Sequence, residues 1–225
     1  QSYLSDDKDV ENVLQNQSEA IAKVIHAQMN QHFYEDATEY EVEVRSGFTP
    51  LKDCAYTTAQ GQDVYPYRDT VKEVGKIKQM LFGHFNKCLY PMQKFDSDTE
   101  RRFAIILERD AIKWFKPAKG QFKMYYKKGI DHPEYVPDFV VETDDTILMV
   151  ETKSTQHRNE DGSWNEEVSE KSKAGVKWCA NASVYLKNHD GKVWKYVLIP
   201  HDEVKEQHGL DSFIQQFETV RSSNA

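Results

Sequence analysis

Asp138, Glu151 and Lys153 interrupt two apolar runs in the stretch YVPDFVVETDDTILMVETK at 135–153. If the chain reverses at Asp144 and Asp145, Thr143 faces Thr146 and Asp138 falls opposite Glu151. Side chains alternate faces along a strand, so Lys153 projects on the side of Glu151. Phe139, Val141, Leu148 and Val150 then form the apolar opposite side. Directly opposed residues have side-chain roots about 5 Å apart, and two carboxylates so placed repel. A hard divalent cation relieves that repulsion: Mg²⁺ takes oxygen ligands and is commonly held by one or two carboxylates plus substrate phosphate. A lysine beside it would orient or deprotonate an attacking water. The three residues together predict metal-assisted phosphodiester hydrolysis. The alternative is an edge strand marked by Pro137, with acids that merely face solvent.

The elements that must position this hairpin follow from periodicity. Val10, Val13, Leu14, Ala20, Ile21, Val24, Ile25 and Met29 recur at helical spacing, predicting one long helix or two short ones over 7–34. Tyr40, Val42 and Val44 alternate with charged residues, as in a half-buried strand. Residues 49–69 carry Pro50, Gly61 and Pro66 and read as a looped insertion, and 71–90 resumes a helical pattern despite Gly75 and Gly83. Ser97 and Glu100 have capping-box spacing before a helix whose apolar face is Phe103, Ala104, Ile106 and Leu107. A helix is expected over 166–181. ASVYLKN and VWKYVLIP are expected to form a second hairpin around Asp190-Gly191, and a last helix to span 202–220 with a break at Gly209. The expected class is mixed α/β, a central mixed sheet flanked by helices. A boundary near 91–95 divides an N-terminal α+β extension or linker, 1–92, from a second part, 93–225.

Composition excludes several classes. Charged residues make up 29% and hydrophobic ones 39%, with twelve tyrosines and eleven phenylalanines, which supports a folded core and argues against disorder. Cys54, Cys88 and Cys179 are odd in number and far apart, suggesting neither a disulfide framework nor a zinc site. The start is polar and acidic, unlike a signal peptide, and no apolar stretch reaches bilayer length. The expectation is a cytoplasmic protein with no membrane partner. A first residue of Gln1 suggests a fragment or processed product.

Pro137-Asp138 followed by Glu151-Thr152-Lys153 resembles the PD-(D/E)xK nuclease motif. Its setting resembles the endonuclease domain at the C-terminal end of the restriction subunit of type III restriction enzymes. The matching features cover about 95–200: S-x-x-E-R-R-F-A-x-x-L-E, IKWFKP, YVPDFVV, ILMVETK and a later EKSKAGVKWCA. The resemblance implies a restriction-endonuclease-like core and Mg²⁺-dependent cleavage of double-stranded DNA, with Mn²⁺ as a substitute metal. It assigns Asp138 and Glu151 as metal ligands and Lys153 as the catalytic lysine. Glu100 resembles an extra acid that relatives bring to the metal, the alternative being a cap partner for Ser97. It also implies an upstream motor domain, a modification and recognition subunit, and pairing of nuclease domains on DNA for double-strand cuts. The family usually has glycine after the lysine. Ser154 stands here instead and leaves the path of the next loop open. Rivals are a repair nuclease or junction resolvase of the same fold, and a DNA-binding module that does not cut.

The chain carries 37 acidic against 29 basic residues, so a polyanion must meet a local basic patch. Residues 113–128 supply Lys116, Lys119, Lys123 and Lys127 among aromatic residues and no acid, a candidate phosphate-contacting strip. The alternative is an edge strand whose lysines block strand pairing. Lys173 and Lys177 share a helical face and are further candidates. His157 and Arg158 occupy the loop after Lys153. No phosphate-cradling G-x-x-x-x-G-K-[ST] loop is present, so ATP hydrolysis by this chain is not expected.

Overall fold

Apolar residues at helical spacing wind the first segment into one helix, α1 (Asp7–His32). The computed structural model describes residues 7–32, 49–52 and 63–219, so the strand expected around Tyr40, Val42 and Val44 lies outside the described residues. The chain divides into two units, Gln1–Glu43 with Gly129–Asp131, and the remainder. Within α1 the side chains of Leu14, Val24, Ile25 and Met29 are exposed.

The second unit begins with a small sheet in which β1 (Val64–Pro66) runs parallel to β2 (Leu81–Gly83), and β3 (Met92–Gln93) pairs antiparallel to β2. The helix expected over 71–90 does not form. A 3₁₀ turn at Val74–Gln79 precedes the extended β2. The apolar residues Val71, Ile77, Leu81 and Phe82 are buried from turn and strand instead. Gly83 permits the close approach of the two strands, because a Cβ there would lie 2.7 Å from Val64 Cγ1. The boundary expected after residue 92 falls within β3, whose partner β2 precedes it.

Helix α2 (Asp98–Asp110) starts as expected: Ser97 Oγ accepts the Glu100 N–H at 3.2 Å. Its face of Phe103, Ala104, Ile106 and Leu107 is fully buried. Buried Glu108 accepts from the backbone N–H groups of Asn86 (2.8 Å), Lys87 (3.0 Å) and Cys88 (3.0 Å) and from Trp114 Nε1 (2.7 Å), which pins the 86–88 segment to the helix.

Strands β4 (Lys113–Phe115), β5 (Met124–Tyr125), β6 (Glu134–Tyr135), β7 (Phe139–Glu142) and β8 (Thr146–Lys153) follow, then helix α3 (Glu166–Lys187), β9 (Val193–Pro200), α4 (Leu210–Phe217) and β10 (Glu218–Thr219). The central sheet has the order β10-β9-β8-β7-β4, while β5 and β6 pair separately. All its neighbours are antiparallel except β8 and β9. Helix α3 is the crossover that this parallel pair requires.

The second hairpin is therefore not formed. ASVYLKN extends α3 to Lys187, and Ser183 Oγ accepts the Trp194 N–H at 2.9 Å, docking the helix end on β9. The Asp190-Gly191 turn exists but joins helix to strand: Asp190 has φ 51°, and the Gly191 N–H donates to Leu186 O at 3.0 Å. The last helix is shorter than expected, with a 3₁₀ turn at His201–Glu203 and α4 starting after Gly209.

Phe139, Val141, Leu148 and Val150 pack against α2 and α4, as their alternation predicts. The opposite face is also covered. Met149, Tyr196 and Leu198 pack with Val168 and Cys179 of α3. Gly175 makes that layer possible, since a Cβ there would run into the Tyr196 ring. Among the described residues, no helix is long and apolar enough to cross a membrane.

Candidate metal and phosphodiester site

The reversal expected at Asp144 and Asp145 is observed. Thr143 N–H donates to Thr146 O at 2.9 Å, and the ladder pairs Glu142 with Ile147 through to Phe139 with Val150. One step further along the same register sets Asp138 against Glu151. Asp138 Oδ2 accepts from Thr152 twice, from N–H at 2.7 Å and Oγ1 at 2.8 Å, so its carboxylate is tied to β8 at the residue between Glu151 and Lys153 in the chain.

Glu151 is 4% exposed. Its Oε1 receives Lys153 Nζ at 2.7 Å and its Oε2 the Tyr135 hydroxyl at 3.0 Å, which in turn meets the Tyr196 hydroxyl at 3.0 Å. Burial, joined by the charge of Asp138, pushes the Glu151 carboxyl up to about 7, against the pull of Lys153 and Tyr135. Burial also drives the Tyr135 and Tyr196 hydroxyls far above the ordinary tyrosine value, so both stay neutral donors. For Lys153 burial works to lower the pKa, but the charges of Glu151 and Asp138 outweigh it and raise it. Lys153 is an ammonium in this state.

Glu100 lies at the start of α2. Its Oε2 accepts the Asp96 N–H at 3.2 Å and pairs with Lys116 Nζ, and its Oε1 lies 3.4 Å from Ser97 Oγ. Burial raises its pKa, Lys116 opposes this, and Asp138 adds to it, so Glu100 shares the field of the hairpin. No group of three or more His, Cys, Asp or Glu among the described residues is arranged to hold a metal ion. Glu100 is gathered with Ser97, Asp96 and Lys116 at the helix start.

The lysines separate. Lys119, Lys123 and Lys127 are exposed, but Lys116 is turned inward because Glu100 and two aromatic rings receive it. The chain leaves the central sheet after β4, so 113–128 is not one continuous edge strand. Lys173 is exposed and paired with Glu170 at 2.6 Å, and Lys177 is half-buried on the same helix. A cavity of about 240 Å³ bordered by Lys113, Phe115, Val140 and Trp194 includes neither Asp138 nor Glu151.

One neighbour was missed by sequence reasoning. β8 and β9 end together, Lys153 beside Pro200, so His201 emerges next to the hairpin. Burial lowers its pKa, opposed by Asp138 and reinforced by Lys153 and His157. Only the parallel pairing of strands 40 residues apart in sequence, as a rough count, exposes this neighbour, and no local pattern marks it.

The residues present fit a hard divalent cation. Both donors are carboxylates, and Asp138 Oδ1 accepts no hydrogen bond from a described residue. Asp138 and Glu151 also carry the mutual repulsion that such a cation relieves. No family model, curated protein or solved structure matches the chain.

Proposed function

We propose that this chain contains a Mg²⁺-dependent DNA endonuclease domain of the PD-(D/E)xK type, with a restriction-endonuclease-like core, the cleavage module of a type III-like restriction enzyme. The observation that carries the reading is the β7–β8 register, which sets Asp138 against Glu151-Thr152-Lys153 with Lys153 bonded to Glu151.

Asp138 and Glu151 would hold the metal, Mg²⁺ or Mn²⁺. When bound, it supplies Lewis-acid polarisation of the scissile phosphate. Thr152 fixes the Asp138 carboxylate, and Tyr135 holds Glu151 by its Oε2. Lys153 carries its proton, so its part is to donate to the phosphate or to orient the attacking water, not to serve as the resting base. The exposed Lys119, Lys123, Lys127 and Lys173 are candidates for the DNA backbone. One such site cuts one strand at a time, so double-strand cleavage calls for pairing of nuclease domains. The motor and the modification subunit would be supplied by the parent enzyme, in the cytoplasm.

Plasmid nicking with Mg²⁺ and with EDTA, on wild type, Asp138→Ala and Lys153→Ala, tests the reading. The expected result is nicking by wild type with Mg²⁺ alone, and a loss of at least about 100-fold in either variant. Equal nicking by all three proteins sinks it.

A further inference from the structure

Lys116 follows β4 and runs inward, its Nζ 4.9 Å from the centroid of the Phe139 ring and 5.7 Å from that of Phe95. It pairs with Glu100 Oε2, the two side chains being 14% and 6% exposed. A buried ion pair is a poor source of stability, because desolvation offsets the attraction. An apolar side chain of similar length would pack between the same rings at less cost. The pair therefore needs another reason, and its position supplies one. Phe139, whose ring receives Lys116, is the residue next to Asp138 in the chain, and the charge of Asp138 acts on both Glu100 and Lys116. Glu100 is tied on its other sides to Asp96 N–H and Ser97 Oγ, at the helix start.

Resting on the nuclease reading, we propose that Lys116 is a built-in counter-cation that holds Glu100 in reserve beside the divalent-cation site. It keeps the Glu100 carboxylate on the α2 cap, so that Asp138 and Glu151 alone hold the metal. Lys116 is a positioning residue that acts through Glu100. With Lys116 in place, Glu100 pairs with Lys116 and Glu151 with Lys153, and the charge of Asp138 acts on both lysines. Without Lys116 the three carboxylates have only Lys153, and Glu100 is free to turn towards the cation.

Mn²⁺ titration of the full chain, with free Mn²⁺ read by electron paramagnetic resonance, tests this without any cleavage. Lys116→Met is expected to bind Mn²⁺ roughly tenfold or more tighter than wild type, and the gain is expected to vanish in Lys116→Met/Glu100→Gln. Glu100→Gln alone, which leaves Lys116 facing Asp138, is expected to bind roughly tenfold weaker. It reports on the same coupling if Lys116→Met does not fold. Unchanged affinity in both single variants overturns the inference. So does a gain that persists in full in the double variant, because Lys116 would then act on Asp138 through space and not through Glu100. Wild-type binding that is lost in Asp138→Ala, combined with either of those results, overturns this inference alone. Wild-type chain that binds no Mn²⁺, or binds it equally in Asp138→Ala, overturns the nuclease reading and this inference with it.

Discussion

Burial and the neighbouring Asp138 lift the Glu151 carboxyl to about 7 from an ordinary 4.5, and this has a consequence for stability. In the unfolded chain the group loses its proton near 4.5, while in the folded chain it keeps it up to about 7. Between those values the folded state binds more protons. Its contribution is fully present below about 4.5 and is lost as pH rises towards 7, by an amount on the order of 3 kcal/mol. Denaturant unfolding in EDTA across this window is expected to show that decline in wild type and a flatter profile in Glu151→Gln. Identical profiles would refute the assignment. At this scale the sequence was informative about Asp138, Glu151 and Lys153, because a turn and a two-residue period decide which side chains meet. It left Glu100 open. Ser97-x-x-Glu100 reads equally as a cap or as a source of a metal ligand, and the cation that pairs with its carboxylate, Lys116, is supplied by a different element.

The elements show how the site is braced. Gly175 of α3 lets the helix settle on Tyr196, whose hydroxyl meets Tyr135, whose hydroxyl donates to Glu151. Gly175→Ala is expected to push Tyr196 aside, with a loss of about 1–3 kcal/mol in unfolding free energy. It should also weaken Mn²⁺ binding, since Glu151 loses its brace. Wild-type Mn²⁺ affinity in a folded Gly175→Ala protein would disconnect the helix from the site. α2 was legible because Ser97 caps it and Phe103, Ala104, Ile106 and Leu107 mark one face. The end of α3 was not. Val184 and Tyr185 favour strands locally, yet Ser183 exchanges hydrogen bonds with Cys179 O and with the Trp194 backbone, and the long-range contact wins.

At the scale of the whole molecule, both buried core clusters draw their residues from Tyr67 onward among the described residues, and none of those comes from α1. A chain beginning at residue 44 is therefore expected to keep the cooperative thermal transition of the second unit within a few degrees, on the scale by which about 1 kcal/mol moves a midpoint. Loss of that transition would show that the first unit is required for the fold. The small sheet of β1, β2 and β3 belongs to the same unit as the hairpin, with Phe82 packed on Phe95 at 5.4 Å between ring centroids. This is why the boundary expected near 91–95 falls among paired strands.

The sequence by itself determined the hairpin, its register and its buried face of Phe139, Val141, Leu148 and Val150, together with the start and buried face of α2. These depend on neighbours a few residues apart and on strict periods of two and 3.6. The tertiary structure alone decided that β9 runs parallel to β8, that α3 absorbs ASVYLKN, that Leu81 and Phe82 are extended, and that His201 and Lys116 stand beside the acids. Each of those outcomes turns on which distant surfaces bury one another, and burial between distant segments leaves no mark in local spacing.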